Sequence, residues 1–163
     1  LARKSDATFA QVDLAGIVQD CTALLQRELA SHGATLLVEI ADGLPPVAGD
    51  RVQLQQVLIN LLMNGMQAME PRGGTLWLSL APAGVAGGGG VRIAVTDEGP
   101  GIPENQCGRL FEPFYSTKQD GMGMGLPICR SIIEAHGGRI AAVPGSPGAT
   151  LEILLPALRE AAA

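Results

Sequence analysis

Leu14, Ile17, Val18, Cys21, Leu25 and Leu29 recur every three or four residues, the spacing of one helical face. That spacing predicts a helix over residues 13–29, ended by Gly33. Ahead of it, residues 9–13 alternate briefly, as a short strand does. Residues 35–40 also read as a strand. Leu44-Pro45-Pro46 reads as an extended loop, because a residue before proline avoids the helical region. Asp50 is placed to cap a second helix that reaches about residue 70, where Pro71-Arg72-Gly73-Gly74 stops it. In residues 75–80, Leu76, Leu78 and Leu80 share one face, and Trp77 and Ser79 the other.

Four consecutive glycines within residues 86–90 predict a hairpin loop, and residues 91–97 a further alternating strand. Residues 98–124 are long, glycine-rich and irregular, a pattern typical of functional loops. A third helix is predicted over residues 126–136, with Pro127 in its first turn and Gly137-Gly138 at its end. Strands at 139–143 and 150–155 follow, joined by a turn at 144–148. Helices and strands in this proportion predict an α+β, two-layer α/β sandwich. Three helices would pack on one face of a mixed sheet of about five strands.

The chain has 163 residues, 47% of them hydrophobic and 17% charged. A chain of this length forms one domain with a substantial core. The formal net charge is −5 and aromatic residues make up 3%. These values argue against a nucleic-acid binder, which needs a basic face or stacking platforms. They leave room for one phosphorylated small molecule, which needs only a local positive field. Cys21, Cys107 and Cys129 form no C-x-x-C pair and read as reduced thiols, with Cys21 on an apolar stripe. No apolar run is long enough to span a bilayer, and no signal peptide opens the chain. The start at Leu1-Ala2-Arg3-Lys4, without methionine, reads as an excised piece of a longer protein.

Three segments carry candidate chemistry. On the second helix Asn60 and Asn64 lie four apart on one face, extended by Gln53, Gln56 and Gln67. A solvated helical face normally carries charges. Uncharged amides instead suit a polar pocket, where they can serve a hard cation or donate to phosphate. Two surface asparagines are the plain alternative. Asp97 shares parity with Val91, Ile93 and Val95, which points it inward at the head of Asp97-Glu98-Gly99-Pro100-Gly101. A buried carboxylate needs donors, and an adenine amine is a suitable one; a turn with a capping aspartate is the alternative. Gly121-Met122-Gly123-Met124-Gly125-Leu126 opens the third helix, where free N–H groups favour anions. It has no Walker A ending and no dinucleotide-fold context, and a flexible turn is the alternative. Between the last two, Phe111 to Lys118 reads as a hinged lid with aromatic anchors and one cation, or as a loop with a minor core.

In this order the segments resemble a known family. Val57 to Asn64 resembles the N box of sensor histidine kinases, and Asp97 to Gly101 their G1 box. Phe111-Glu112-Pro113-Phe114 resembles the F box, and Gly121 to Leu126 the G2 box. The match spans about residues 50–156. Arg51 to Gln56, Ser116-Thr117-Lys118 and Glu134 to Gly138 are similar to the nitrogen-regulatory, oxygen-sensing and dicarboxylate-sensing subgroup.

The resemblance implies the Bergerat ATP-binding fold with a flexible ATP lid, and ATP and Mg²⁺ as cofactors. It implies Asn64 as the Mg²⁺ ligand, Asn60 near the metal and phosphates, and Lys118 as a lid contact with a catalytic role. Asp97 would hold the adenine amine above Gly101, with Thr150 supporting its water network. Gly99, Ile102 and Phe114 would complete the nucleotide contacts, and Gly121, Met122, Gly123, Met124, Gly125 and Leu126 would embrace the phosphates. Ser116 stands where many relatives carry an arginine. Hydrolytic relatives carry a glutamate four residues before the metal asparagine; here Asn60 cannot take a proton, which favours transfer to an outside nucleophile.

The implied activity is that of a protein histidine kinase of a two-component phosphorelay. Its partners would be a phosphoacceptor helical hairpin and the receiver domain of a response regulator, with no nucleic acid and no membrane contact by this piece. The expected location is the bacterial cytoplasm, within a parent that can be membrane-anchored. His32 and His136 lack the acidic neighbour of a phosphoacceptor and read as structural or surface histidines. Residues 1–7 would be a remnant of the hairpin, 8–157 the catalytic and ATP-binding domain, and 158–163 a tail. The rivals are a Bergerat-fold ATPase or serine/threonine kinase, and a degenerate nucleotide-binding interaction module.

Overall fold

A computed structural model describes residues 9–85, 88–112, 125–144 and 148–158. The strands are β1 (Ala10–Val12), β2 (Ala34–Ile40), β3 (Val47–Gly49), β4 (Gly74–Val85), β5 (Gly88–Asp97), β6 (Arg139–Val143) and β7 (Ala149–Pro156). The helices are α1 (Leu14–Leu24), α2 (Gln26–Ser31), α3 (Arg51–Ala68), α4 (Glu104–Cys107) and α5 (Gly125–Ala135). Five strands form one mixed sheet in the order β2-β4-β5-β7-β6. β2 runs parallel to β4, and every other pairing in that sheet is antiparallel.

The alternation in β4, β5 and β7 directs one face of the sheet inward. Leu76, Leu78, Val91, Ile153 and Leu155 are fully buried there, against Ile17, Leu61, Leu62 and Met66 of the helical layer. Each such side chain contributes about 1.5–3 kcal/mol by leaving water. Helix α3 packs against α1, α5 and β5, and so lies at the centre of the layer. Trp77, on the opposite face of β4, is 40% exposed.

Several expectations change. The first helix breaks at Leu25 into α1 and α2, yet Leu25 and Leu29 stay buried, so the apolar stripe continues across the break. Strand β3 follows the two prolines and pairs with β1 in a separate two-stranded sheet. Three residues are too few for alternation to register. β4 and β5 extend past their apolar stretches because backbone pairs such as Ala83↔Gly90 and Gly84↔Gly89 need no side-chain pattern. With the short α4, the described residues hold five helices rather than three. Among these residues no helix is long and apolar enough to cross a membrane.

Candidate functional site

The site begins with α3. Asp50 caps it, its carboxylate accepting from the Gln53 N–H at 3.1 Å. Leu54, Val57, Leu58, Leu61 and Leu62 bury the apolar side. That burial fixes the rotation of the helix and sets Asn60 and Asn64 on the flank facing β5 and α5. Gly65 allows close approach: a Cβ there would lie 2.5 Å from the Leu76 Cδ2 and 3.7 Å from the Asp97 Cβ.

The turn after β5 is clamped from three sides. The buried Asp97 accepts from the Gly99 N–H through Oδ1 at 2.7 Å. Gly148 donates its N–H to the Gly99 carbonyl at 2.7 Å. Glu98 accepts the Thr75 N–H at 2.8 Å, which ties the turn to the start of β4. Gly99 lies so close to the end of α3 that a Cβ would sit 2.6 Å from the Ala68 carbonyl oxygen. Gly101 has φ +91°, a left-handed conformation that suits glycine.

These elements enclose a cavity of about 350 Å³, within the size range of small-molecule sites. Asn64, Gln67 and Ala68 line it from α3, with Asp97, Pro100, Gly101 and Ile102 from β5 and the turn. Gln106 and Leu110 line it beyond, with Leu126 from α5 and Ala149 from β7. One end therefore carries a carboxylate beside apolar walls, the chemistry that suits an aminopurine ring. Among the described residues, the Asn64 amide has no hydrogen-bond partner. No group of three or more His, Cys, Asp or Glu that could hold a metal occurs among the described residues. A single amide oxygen nevertheless fits Mg²⁺, which binds few protein ligands and takes others from phosphate and water. A second, more open cleft of about 670 Å³ lies between the start of α1 and the loop after β2. Its walls include Asp13, Asp42, Pro45 and Pro46, with none of the amides of α3.

Asn64, Asp97, Gly101, Ile102 and Leu126 thus share the cavity, and Gly99 shapes its floor. Asn60 faces α5 instead: its Nδ2 lies 3.5 Å from the Gly125 carbonyl oxygen and 3.7 Å from the Cys129 sulfur. Thr150 is not brought to Asp97. It pairs with Thr96 in register, and their hydroxyls meet at 2.9 Å. Successive strand residues face opposite ways, so Ala149, opposite Asp97 in register, occupies the cavity side. Phe114, Lys118, Gly121, Met122, Gly123 and Met124 lie outside the described residues. Sequence reasoning missed Ala149, Gln106 and Leu110. For Ala149 the signal was available in the parity of β7; α4 and the turn after it carry no such pattern.

Both histidines are engaged at both ring nitrogens. His136 accepts the Asp50 N–H at Nε2 (3.0 Å), so its Nδ1 donates to the Ile132 carbonyl at 2.7 Å. Its ring also stacks on Phe9, with centroids 4.4 Å apart. His32 has Nδ1 at 2.8 Å from the Glu28 carbonyl and Nε2 at 3.1 Å from the Glu70 carboxylate. Cys21 and Cys129 are fully buried, and burial pushes both thiols up to about 11.

Residues 49–159 match the family described as histidine kinase-, DNA gyrase B- and HSP90-like ATPase. The chain is 44% identical over 147 residues to the sensor histidine kinase TmoS of Ectopseudomonas mendocina, which covers 89% of this chain and 15% of TmoS. The catalytic domain of the histidine kinase ThkA, solved nucleotide-free, superposes with a TM-score of 0.76 at 30% identity, over 91% of this chain and 95% of that one. Full-length ShkA, solved in complex with AMPPNP, superposes with a TM-score of 0.79 at 28% identity, over 95% of this chain and 32% of ShkA. The chain therefore spans a minor part of its full-length relatives and nearly all of an isolated catalytic domain.

Proposed function

The chain belongs to the histidine kinase-, DNA gyrase B- and HSP90-like ATPase family, and on that premise we propose that it binds Mg-ATP and phosphorylates a histidine outside itself. One observation carries the reading: Asn64 of α3 and the buried Asp97 of β5 face one cavity of about 350 Å³. The Asp97 carboxylate accepts the exocyclic amine of adenine, while Gly101 and Ile102 bound the ring. Asn64 offers its amide oxygen to Mg²⁺. Held there, Mg²⁺ would supply charge neutralisation for the phosphates.

The residues of this chain bind, orient and exclude water. Asn60 has no basic atom with which to activate water, which supports transfer over hydrolysis. The acceptor imidazole nitrogen forms the new N–P bond as the bond between the terminal phosphorus and the ADP oxygen breaks. The acceptor imidazole then releases its proton. Both histidines of this chain are held at both nitrogens. The acceptor therefore lies outside this chain, and the likeness to sensor histidine kinases points to a helical hairpin of the parent or its dimer mate, with an aspartate of a receiver domain as the next acceptor. Gly125 and Leu126, at the start of α5, meet the phosphates of the nucleotide.

The test supplies a histidine-bearing hairpin in trans with ATP labelled at the terminal phosphate. Acid-labile label on the hairpin is expected. Steady release of free phosphate with no label on the hairpin would contradict transfer.

A further inference from the structure

Asn60 stands one helical turn before Asn64, yet its amide is turned into the seam between α3 and α5. The Gly125 carbonyl is purely an acceptor, so the Asn60 nitrogen, and not its oxygen, must face it. The Cys129 sulfur lies 3.7 Å from the same nitrogen, and its own S–H is directed at the Val57 carbonyl, 3.9 Å away. Gly125 and Cys129 lie four apart on α5, so one face of that helix presents both groups. A Cβ on Gly125 would sit 3.3 Å from the Asn60 Nδ2. The fully buried thiol is thus linked to α3 at two points, Val57 and Asn60.

We propose that Cys129 is a positioning residue that acts through Asn60: its thiol and the Gly125 carbonyl hold the amide nitrogen, so that the amide presents its oxygen outward. That oxygen is the acceptor a hard cation or its bound water needs. The inference rests on the nucleotide-binding reading above. It also gives the start of α5, where the glycine-rich segment rejoins the described chain, a direct tie to the amide stripe.

Serine at 129 keeps a group that donates to Val57 and accepts from Asn60. Valine has a similar volume and does neither. The experiment compares wild type, Cys129→Ser and Cys129→Val in two measurements. The first follows the Asn60 side-chain NH2 resonances in the nitrogen-15-labelled, nucleotide-free chain. The second measures ADP affinity by calorimetry with Mg²⁺ present and with Mg²⁺ chelated. In Cys129→Val the Asn60 resonances are expected to shift. The gain in affinity from Mg²⁺ falls about fivefold, the equivalent of one ordinary hydrogen bond. Affinity without Mg²⁺ is unchanged, and Cys129→Ser restores both readouts. Should the valine variant not fold, Cys129→Ala removes the thiol without adding a methyl group. Unmoved Asn60 resonances, or an equal loss of affinity with and without Mg²⁺, would overturn the proposal. If wild type binds no ADP under either condition, the nucleotide reading fails, while the resonances of the free chain still decide whether the thiol orients the amide.

Discussion

Gly148 donates its backbone N–H to the Gly99 carbonyl at 2.7 Å, which ties the start of β7 to the turn that carries Asp97. Both glycines are required by space. Gly148 has φ +85°, and a Cβ there would lie 2.5 Å from the Asp97 carbonyl oxygen. A Cβ on Gly99 would meet the Ala68 carbonyl oxygen at 2.6 Å. The obstruction is backbone in both cases, so it cannot rotate away. Gly99→Ala is expected to destabilise the fold by about 1–3 kcal/mol and to weaken ADP binding about tenfold or more. Thermal denaturation and calorimetry on the same variant measure the two effects; a variant unchanged in both would show that the turn does not shape the cavity.

His136 joins the end of α5 to the start of α3. Its removal deletes the hydrogen bond from the Asp50 N–H to Nε2 and opens space against Phe9 and Gly49. His136→Ala is expected to cost about 2–4 kcal/mol, from a lost hydrogen bond and lost packing. Chemical denaturation measures it. Loss of nucleotide binding without loss of stability would instead assign His136 to the site.

Incubating this chain alone with labelled ATP is expected to place no acid-labile phosphate on it. The Nε2 lone pair of His136 accepts the Asp50 N–H, and both ring nitrogens of His32 face the acceptor oxygens of Glu28 and Glu70. Acid-labile label that survives dilution of the chain and maps to either histidine would refute this.

The thiols give a pH signature. Burial raises Cys21 and Cys129 from an ordinary 9.0 to about 11. The folded chain therefore holds these protons where the unfolded chain releases them. Their stabilising contribution is complete below pH 9 and is lost as pH rises toward 11. The denaturant midpoint should fall across that window and flatten at lower pH. At pH 8 a thiol reagent should modify the partly exposed Cys107 in the native chain, and all three cysteines only after unfolding. Rapid native labelling of Cys129 would show that the seam between α3 and α5 opens.

Much of this was legible in the residues. The alternation of Val91, Ile93 and Val95 correctly turned Asp97 inward, because strand parity is a local property. The Asp50 cap and the apolar stripe of α3 likewise placed Asn64 on a polar flank. The span 139–143 coincides with β6. What escaped depends on how distant segments meet. Thr150 was assigned to Asp97 by its place in a motif, but pairing register sets Ala149 there. Asn60 shares a helical face with Asn64, yet only the packing of α5 decides that its amide turns to Gly125 and Cys129. Gly65 and Gly148 carry no local mark of the atoms that crowd them. Residues 104–110 hold too little periodicity to reveal that Gln106 and Leu110 reach the cavity.

Calorimetric titration of ADP with Mg²⁺ into wild type and Asp97→Asn tests the central claim most directly. Asparagine at 97 can still accept the Gly99 N–H, so the variant should fold. On the proposed reading it lacks the carboxylate that would pair with the adenine amine, a charge-assisted hydrogen bond worth about 1.5–3 kcal/mol. Saturable binding to wild type is expected, weakened about 10- to 100-fold in the variant. Equal affinity in a folded variant, or no heat of binding to wild type, would contradict the account.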